Sequence, residues 1–222
     1  MNYFKRIISV ASIFAITSFA HGAAITTQLE DFTNGGGFFG EVTFEDNGTD
    51  TVTISANIAA PINAGLTQGD VLALWFDFAN FGALTGSTAT FGDENPSGIV
   101  NGYFFSENAV SSSLGGNVNL NGGSPTQTNW DFAVLTGTNG SANGFIQTLS
   151  FDLTIVGLDQ TQFSNQRVGM RVQSIEGGAF DGVGSSKLVG TGTSVTVPEP
   201  GTIALLGLGL FGLGVQRRKH QI

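Results

Sequence analysis

The stretch Thr148-Leu149-Ser150-Phe151-Asp152-Leu153-Thr154-Ile155 alternates polar and apolar residues without a break. Successive side chains of a β-strand point to opposite faces, so Leu149, Phe151, Leu153 and Ile155 fall on one side and the polar residues on the other. The same period returns at Val42 and Phe44, set between Glu41, Thr43 and Glu45. It returns again at Val52, Ile54 and Ile58, interleaved with Thr51, Thr53, Ser55 and Asn57. Val71 to Phe78 departs from it: Leu72, Leu74, Phe76 and Phe78 alternate with Val71, Ala73 and Trp75, which predicts a strand covered on both faces. Ile99 to Phe105, Trp130 to Leu135, Val168 to Ile175 and Leu188 to Val197 are further strand candidates, the last running straight into Pro198.

Between these runs lie turn signals: Asn34-Gly35-Gly36-Gly37, Asn47-Gly48, Asn101-Gly102, Asn121-Gly122-Gly123 and Asn139-Gly140. Thirty-three glycines and little charge fit many short strands joined by turns. About nine strands with no amphipathic helix predict an all-β fold, a single antiparallel β-sandwich of jelly-roll type, spanning residues 25–197. A segment of that length buries one proper core. No repeat with a clean period is present, which argues against solenoids and propellers.

Both ends read differently from the middle. Lys5 and Arg6 precede an apolar run from Ile7 to Phe19, and small residues come next at Ala20, Gly22, Ala23 and Ala24, the pattern of a signal peptide over residues 1–24. At the other end Val197-Pro198-Glu199-Pro200 opens a tail, residues 198–222, with an uncharged stretch to Val215 and a basic cluster of Arg217, Arg218 and Lys219. As a helix, Thr202 to Val215 reaches about 21 Å of a hydrocarbon core about 30 Å thick, so it spans as a marginal, temporary tether. Gly207, Gly209 and Gly212 match a dinucleotide-binding spacing. Without a preceding strand or a following βαβ unit, that spacing is fortuitous. Basic residues stay cytoplasmic, so both ends place the intervening domain outside. That domain holds 16 acidic and 3 basic residues (Arg167, Arg171 and Lys187). Such a surface repels nucleic acid.

In order and spacing, the tail resembles the PEP-CTERM sorting signal of Gram-negative bacteria, carried here by Val197-Pro198-Glu199-Pro200, the apolar segment and Arg217 to Lys219. The resemblance implies passage through the export machinery and signal peptidase, transient residence in the inner membrane, and recognition by an exosortase-type processing enzyme. Cleavage is expected near Glu199 and Pro200, with release to the cell surface or extracellular space. Such proteins accompany exopolysaccharide, biofilm or floc. They share the tail and not the exported domain.

Chemistry in the middle of the chain is constrained by what it lacks. There is no cysteine, and the two histidines are His21, beside the signal, and His220, in the tail. A mature domain therefore has no imidazole or thiol for triad hydrolysis, acid/base work or soft-metal ligation. A carboxylate-pair glycosidase could draw on Glu41, Glu45, Glu94, Glu107 and Glu176, none in a recognisable catalytic spacing. Ser185-Ser186-Lys187 holds the ingredients of a Ser-Lys dyad, in a Gly-Ser setting typical of a turn. Calcium is the one cofactor the composition invites, through Asp46, Asn47, Asp50 and Asp93, although turn chemistry accounts for the same residues. Trp75 and Trp130 read as core, and Tyr103 with Phe104-Phe105 as a candidate binding edge. The resulting expectation is an exported, non-catalytic surface or matrix protein; a carbohydrate-binding module, calcium-dependent or not, and a glycosidase are the alternatives. Mass spectrometry of the mature protein should find a new N-terminus at residues 23–25 and a C-terminus near residue 199; an intact Met1 and Ile222 would overturn both terminal readings.

Overall fold

The computed structural model describes residues 24–34, 37–86, 88–121, 129–137, 144–178 and 182–194. The signal-peptide and tail-helix readings lie outside these residues. Among the described residues no helix is long and apolar enough to cross a membrane.

Among the described residues eleven strands form one antiparallel sheet: β1 (Ile25–Asp31), β2 (Phe38–Asp46), β3 (Thr51–Asn57), β4 (Leu66–Phe76), β5 (Thr90–Asn95), β6 (Val100–Val110), β7 (Trp130–Thr136), β8 (Thr148–Thr154), β9 (Arg167–Gly177), β10 (Gly184–Thr191) and β11 (Thr193–Ser194). Ten lie along the path β5-β8-β3-β2-β1-β10-β9-β4-β7-β6, and β11 pairs with β1. The all-β antiparallel expectation is met. The ladders, however, run through one continuous sheet in place of two facing ones, because β1 carries pairings on both edges and joins the halves. The sheet rolls until its ends approach: Phe91 of β5 lies 5.4 Å from Tyr103 of β6 between ring centroids. The Ala89 N–H donates to the Tyr103 hydroxyl at 3.4 Å. The result is nearly a barrel, closed at its seam by side chains.

Inside the roll sit the residues that the alternation selects. Val42, Phe44, Val52, Ile54, Leu149, Phe151 and Leu153 are fully or almost fully buried in the main core, joined by Leu74, Phe76, Phe132, Val134, Val168 and Met170. Burying each such side chain contributes about 1.5–3 kcal/mol. At the centre Phe44 stacks on Phe163 with centroids 4.0 Å apart and planes 11° from parallel. Phe76 meets both edge-on, at 5.6 and 5.9 Å.

A second apolar cluster lies on the outside of the sheet: Leu72, Ala73, Trp75, Val110, Val118, Leu120, Trp130 and Ala133. β4 is thus buried on both faces, as its unbroken apolar run predicts. The connection after β6, folded back through Leu114, Val118 and Leu120, supplies the outer cover.

Two local readings change. Trp130 is fully buried, but on the face opposite Phe132 and Val134, with which it alternates in sequence. The β6–β7 register shifts beside it: from Phe105–Phe132 to Val110–Trp130, β6 advances five residues while β7 advances two. Asn101-Gly102, a turn signal in the sequence, lies inside β6 at another such shift. β1 and β5 fall outside the expected strands, and the last predicted strand breaks at Gly192 into β10 and β11.

That break is tightly built. β1 pairs with β10 at Glu30–Val189 and Asp31–Leu188, and with β11 at Ile25–Ser194 and Thr26–Thr193. Between these ladders the chain passes so close to β1 that a Cβ on Gly190 would lie 2.1 Å from the Gln28 carbonyl oxygen. Backbone cannot yield as a flexible side chain can. Gly190→Ala should therefore lower stability by about 2 kcal/mol or more, measured by urea titration of the fluorescence of buried Trp75 and Trp130; an unchanged midpoint would contradict this packing.

Candidate functional site

A relay of polar contacts fixes the last described strand, β11. The β2–β3 turn presents Asp46 and Asp50, whose Oδ1 atoms accept the N–H groups of Gln160 (2.6 Å) and Gly157 (2.8 Å). These bonds hold the connection after β8, whose 3-10 turn at Gln160–Phe163 is capped by Asp159. Beyond that turn the Asn165 N–H donates to the Gly192 carbonyl at 2.8 Å, and the Gly192 N–H donates to the Gln166 carbonyl at 2.9 Å. A Cβ at position 192 would fall 2.7 Å from the Phe163 carbonyl oxygen and 3.0 Å from Thr27 Oγ1. Gly192 is held by bonds on both sides, with no room for a side chain. Two residues further on, Ser194, the last described residue, is the Cα partner of Ile25 at the start of β1.

Residues 196–219 match the family model of the PEP-CTERM protein-sorting motif. The C-terminal tail is a PEP-CTERM sorting motif. It marks an exported protein sorted through its C-terminus by way of a membrane-anchored signal, and it implies an exosortase-type processing enzyme. No curated protein matches the chain, and no solved structure does. The PEP-CTERM residues Val197, Pro198, Glu199 and Pro200 and the cluster Arg217, Arg218 and Lys219 lie outside the described residues.

The remaining candidate positions are dispersed over the fold. Asp46, Asn47 and Asp50 share the β2–β3 turn, while Asp93 comes from β5 at a left-handed φ of 43°. Asn47 donates to Asp152 Oδ2 at 2.8 Å, so this turn spends its polar groups on neighbouring segments. Among the described residues no three His, Cys, Asp or Glu side chains group to hold a metal ion. The five glutamates of the glycosidase reading are spread over β2, β5, β6 and β9, and Glu94 accepts the Val100 N–H at 3.2 Å. Ser186 is buried and donates to Asp31 Oδ2 at 2.6 Å. Its neighbour Lys187 donates instead to the Asn121 carbonyl, so the two side chains of the supposed dyad serve different partners. Phe104 stands 45 % exposed, whereas Tyr103 and Phe105 pack on Phe132.

Sequence reading misses the role of the three cations. Arg171 Nε donates to the Asn117 carbonyl at 3.2 Å, Lys187 to Asn121, and Arg167 Nη2 to Asn129 at 3.1 Å. All three grip the β6–β7 connection covering Trp75 and Trp130, and the Arg167 guanidinium lies 4.6 Å from the Trp130 ring centroid. Their scarcity is the signal that could have found them. A carboxylate pair escapes as well: Asp77, which takes a hydrogen bond from Arg167 Nε, and Asp131, whose oxygens accept the Phe78 and Asn108 N–H groups at 2.9 and 2.7 Å.

Buried carboxylates divide by how well they are bonded. Burial pushes the Asp70 carboxyl above its ordinary value of 3.8, with only the Ile146 N–H opposing it. Burial acts on Asp31 in the same direction, but bonds from Ser186, Asn34 and Thr33 outweigh it and hold the carboxyl below 3.8. Asp31 therefore contributes stability that is complete above about pH 3.8 and is lost as pH falls through its depressed value. Charged Asp70 costs stability that sets in as pH rises above 3.8 and through its raised value. Thermal melts across pH should show Asp31→Asn about 1.5–3 kcal/mol less stable at pH 7, with the gap narrowing in acid. Asp70→Asn should melt higher than the parent at pH 7 and equal to it below pH 3.8; a pH-independent difference in either variant would contradict these assignments.

Proposed function

We propose that this protein is a non-catalytic component of the cell surface or extracellular matrix, exported as a membrane-tethered precursor and sorted through its PEP-CTERM tail. The observation that carries the reading is the sorting motif at residues 196–219, which follows in sequence the last strand among the described residues, β11. The polar chemistry of the domain supports a structural role. Asp31, Asp46, Asp50 and Asp131 accept backbone N–H groups and tie strands to turns. Ser186, the buried serine of the dyad candidate, commits its hydroxyl proton to a carboxylate. Once both terminal segments are removed, the sequence between has no imidazole.

Association with extracellular polysaccharide fits the exposed half of the sheet. On β1, β2, β3 and β8 the outward positions Thr26, Thr43, Ser55 and Ser150 lie in register across four strands. Thr26 and Thr43 hydrogen-bond at 3.1 Å, and Thr51 and Thr154 at 2.9 Å. This hydroxyl-rich surface hydrates well and offers neutral donors and acceptors to a sugar chain. A tryptophan platform has no support, since Trp75 and Trp130 are both fully buried and Trp130→Ala would report on packing.

Replacing Pro198-Glu199-Pro200 by alanines should leave the full-length chain in the membrane fraction, while the parent protein fractionates with the cell surface and its polysaccharide. Membrane fractionation with immunoblotting reads the difference. Normal release of the alanine variant would remove the sorting role on which the reading stands.

A further inference from the structure

We propose that Asn47 is an attachment site for an N-linked glycan, transferred to its side-chain nitrogen from a lipid-diphosphate-linked oligosaccharide. Such a modification rests on export of the chain, which its sorting motif marks, and on nothing else about its role at the surface.

Sequence narrows the choice to one position. An asparagine followed two positions later by serine or threonine, with any residue but proline between, is the acceptor pattern for N-glycosylation, used on surface loops of secreted proteins. Three asparagines stand two positions before such a hydroxyl: Asn47, Asn95 and Asn139. Pro96 disqualifies Asn95, because its fixed φ and missing N–H deny the backbone the turn that brings the amide and the hydroxyl together. Asn139 lies outside the described residues. The acceptor is Asn47-Gly48-Thr49.

The fold presents just these three residues. They form the tip of the β2–β3 hairpin, closed by the Asn47 N–H, which donates to the Thr51 carbonyl at 2.9 Å. On either side Asp46 and Asp50 are tied down by the N–H groups of Gln160 and Gly157. Between these anchors Asn47, Gly48 and Thr49 are all exposed. A Cβ built on Gly48 would meet nothing within 4 Å, so open space surrounds the middle of the acceptor. A tip held at both flanks and free between them can enter the active site of another protein while the domain stays folded.

Side-chain chemistry is compatible with the finished fold. Asn47 Nδ2 carries two hydrogens and donates to Asp152 Oδ2 at 2.8 Å. In the transfer the nitrogen attacks the anomeric carbon of the donor sugar. The bond from that carbon to the diphosphate oxygen breaks, its electron pair leaves with the diphosphate, and one proton passes from the nitrogen to a base of the transferase. One hydrogen stays on the nitrogen, enough for the bond to Asp152. The carboxylate also draws on that hydrogen and so returns electron density to a nitrogen whose lone pair is otherwise delocalised into its carbonyl.

Peptide mass spectrometry of the protein purified from its own host tests the site. The peptide containing Asn47 should carry a sugar mass that breaks down to hexose or hexosamine fragments. Asn47→Gln and Thr49→Ala should each lose it completely, and Thr49→Ser should keep it. Thr49→Ala leaves Asn47 and its bond to Asp152 in place, so its loss separates acceptor recognition from any change in folding. An unmodified Asn47 in the native protein, its conversion to aspartate alone, or sugar that survives in Asn47→Gln or Thr49→Ala overturns the site. The N-terminus of the same sample tells the causes apart: a processed end with bare Asn47 leaves export and sorting standing, whereas an intact Met1 with bare Asn47 overturns both.

Discussion

Burial of β4 on both faces is the constraint on which the rest of this domain depends. Leu74 and Phe76 serve the inside of the roll, while Leu72, Ala73 and Trp75 serve a cluster on its outside that water would otherwise reach. An apolar outer face of that size needs a cover, and the β6–β7 connection provides it with Val118 and Leu120. A connection laid over a sheet carries carbonyls that still require donors. Here they come from Arg167, Arg171 and Lys187, all the basic side chains of the exported domain. Gln173 adds a fourth donor, to Asn117 at 3.3 Å. The domain thus commits its positive charge to holding one loop. Only Arg167 also pairs with a carboxylate, Asp77, among the described residues. Other carboxylates take neutral side-chain donors, as Asp31 does from Ser186 and Asp152 from Asn47 and Thr53, so the excess negative charge of the domain is not matched by cations.

The seam shows the same economy. A rolled sheet that does not close its last ladder leaves two edges with unpaired backbone groups, which invite association with other strands. Aromatic packing of Phe91 against Tyr103, and the bond from the Val100 N–H to Glu94, bridge β5 and β6 where the ladder does not. Phe81 packs on Phe105 at 5.0 Å and seals the end of the gap nearer β4. Nineteen phenylalanines in the chain become intelligible in this light: a roll closed by side chains needs large, flat, apolar groups without polar atoms to satisfy.

Strands with one clean apolar face are legible in the sequence because burial there tracks the period of the backbone. β2, β3 and β8 lie where the alternation of Val42, Ile54 and Phe151 puts them. β1 escapes because it turns Thr27 and Asp31 inward, each fully or almost fully buried, and so breaks the pattern with polar residues. β5 escapes because Thr90 to Asn95 shows no apolar alternation at all. Trp130 reads as sharing a face with Phe132 by alternation alone, and the outer cluster that takes it is assembled from the non-local β6–β7 connection. The sorting motif is legible for the opposite reason: it is recognised as a linear string and needs no fold. The close packing at the end of the last strands is not legible, since Gly190 and Gly192 look like ordinary turn glycines until β1 is seen lying against them.

β1 also ties the two ends of the domain's sequence together. β1 is the hinge of the whole sheet, pairing with β2 on one edge and with β10 and β11 on the other. Its N-terminal residue pairs with the last strand, so the earliest part of the domain to leave the membrane waits for the latest part to complete its edge. Contacts between residues so far apart in sequence cost the most chain entropy to form and come late in folding. The ladder between β1 and β11 joins residues farther apart in sequence than any other pair in the described sheet, so it carries the largest closure cost and gains most from the docking of β10 beside it.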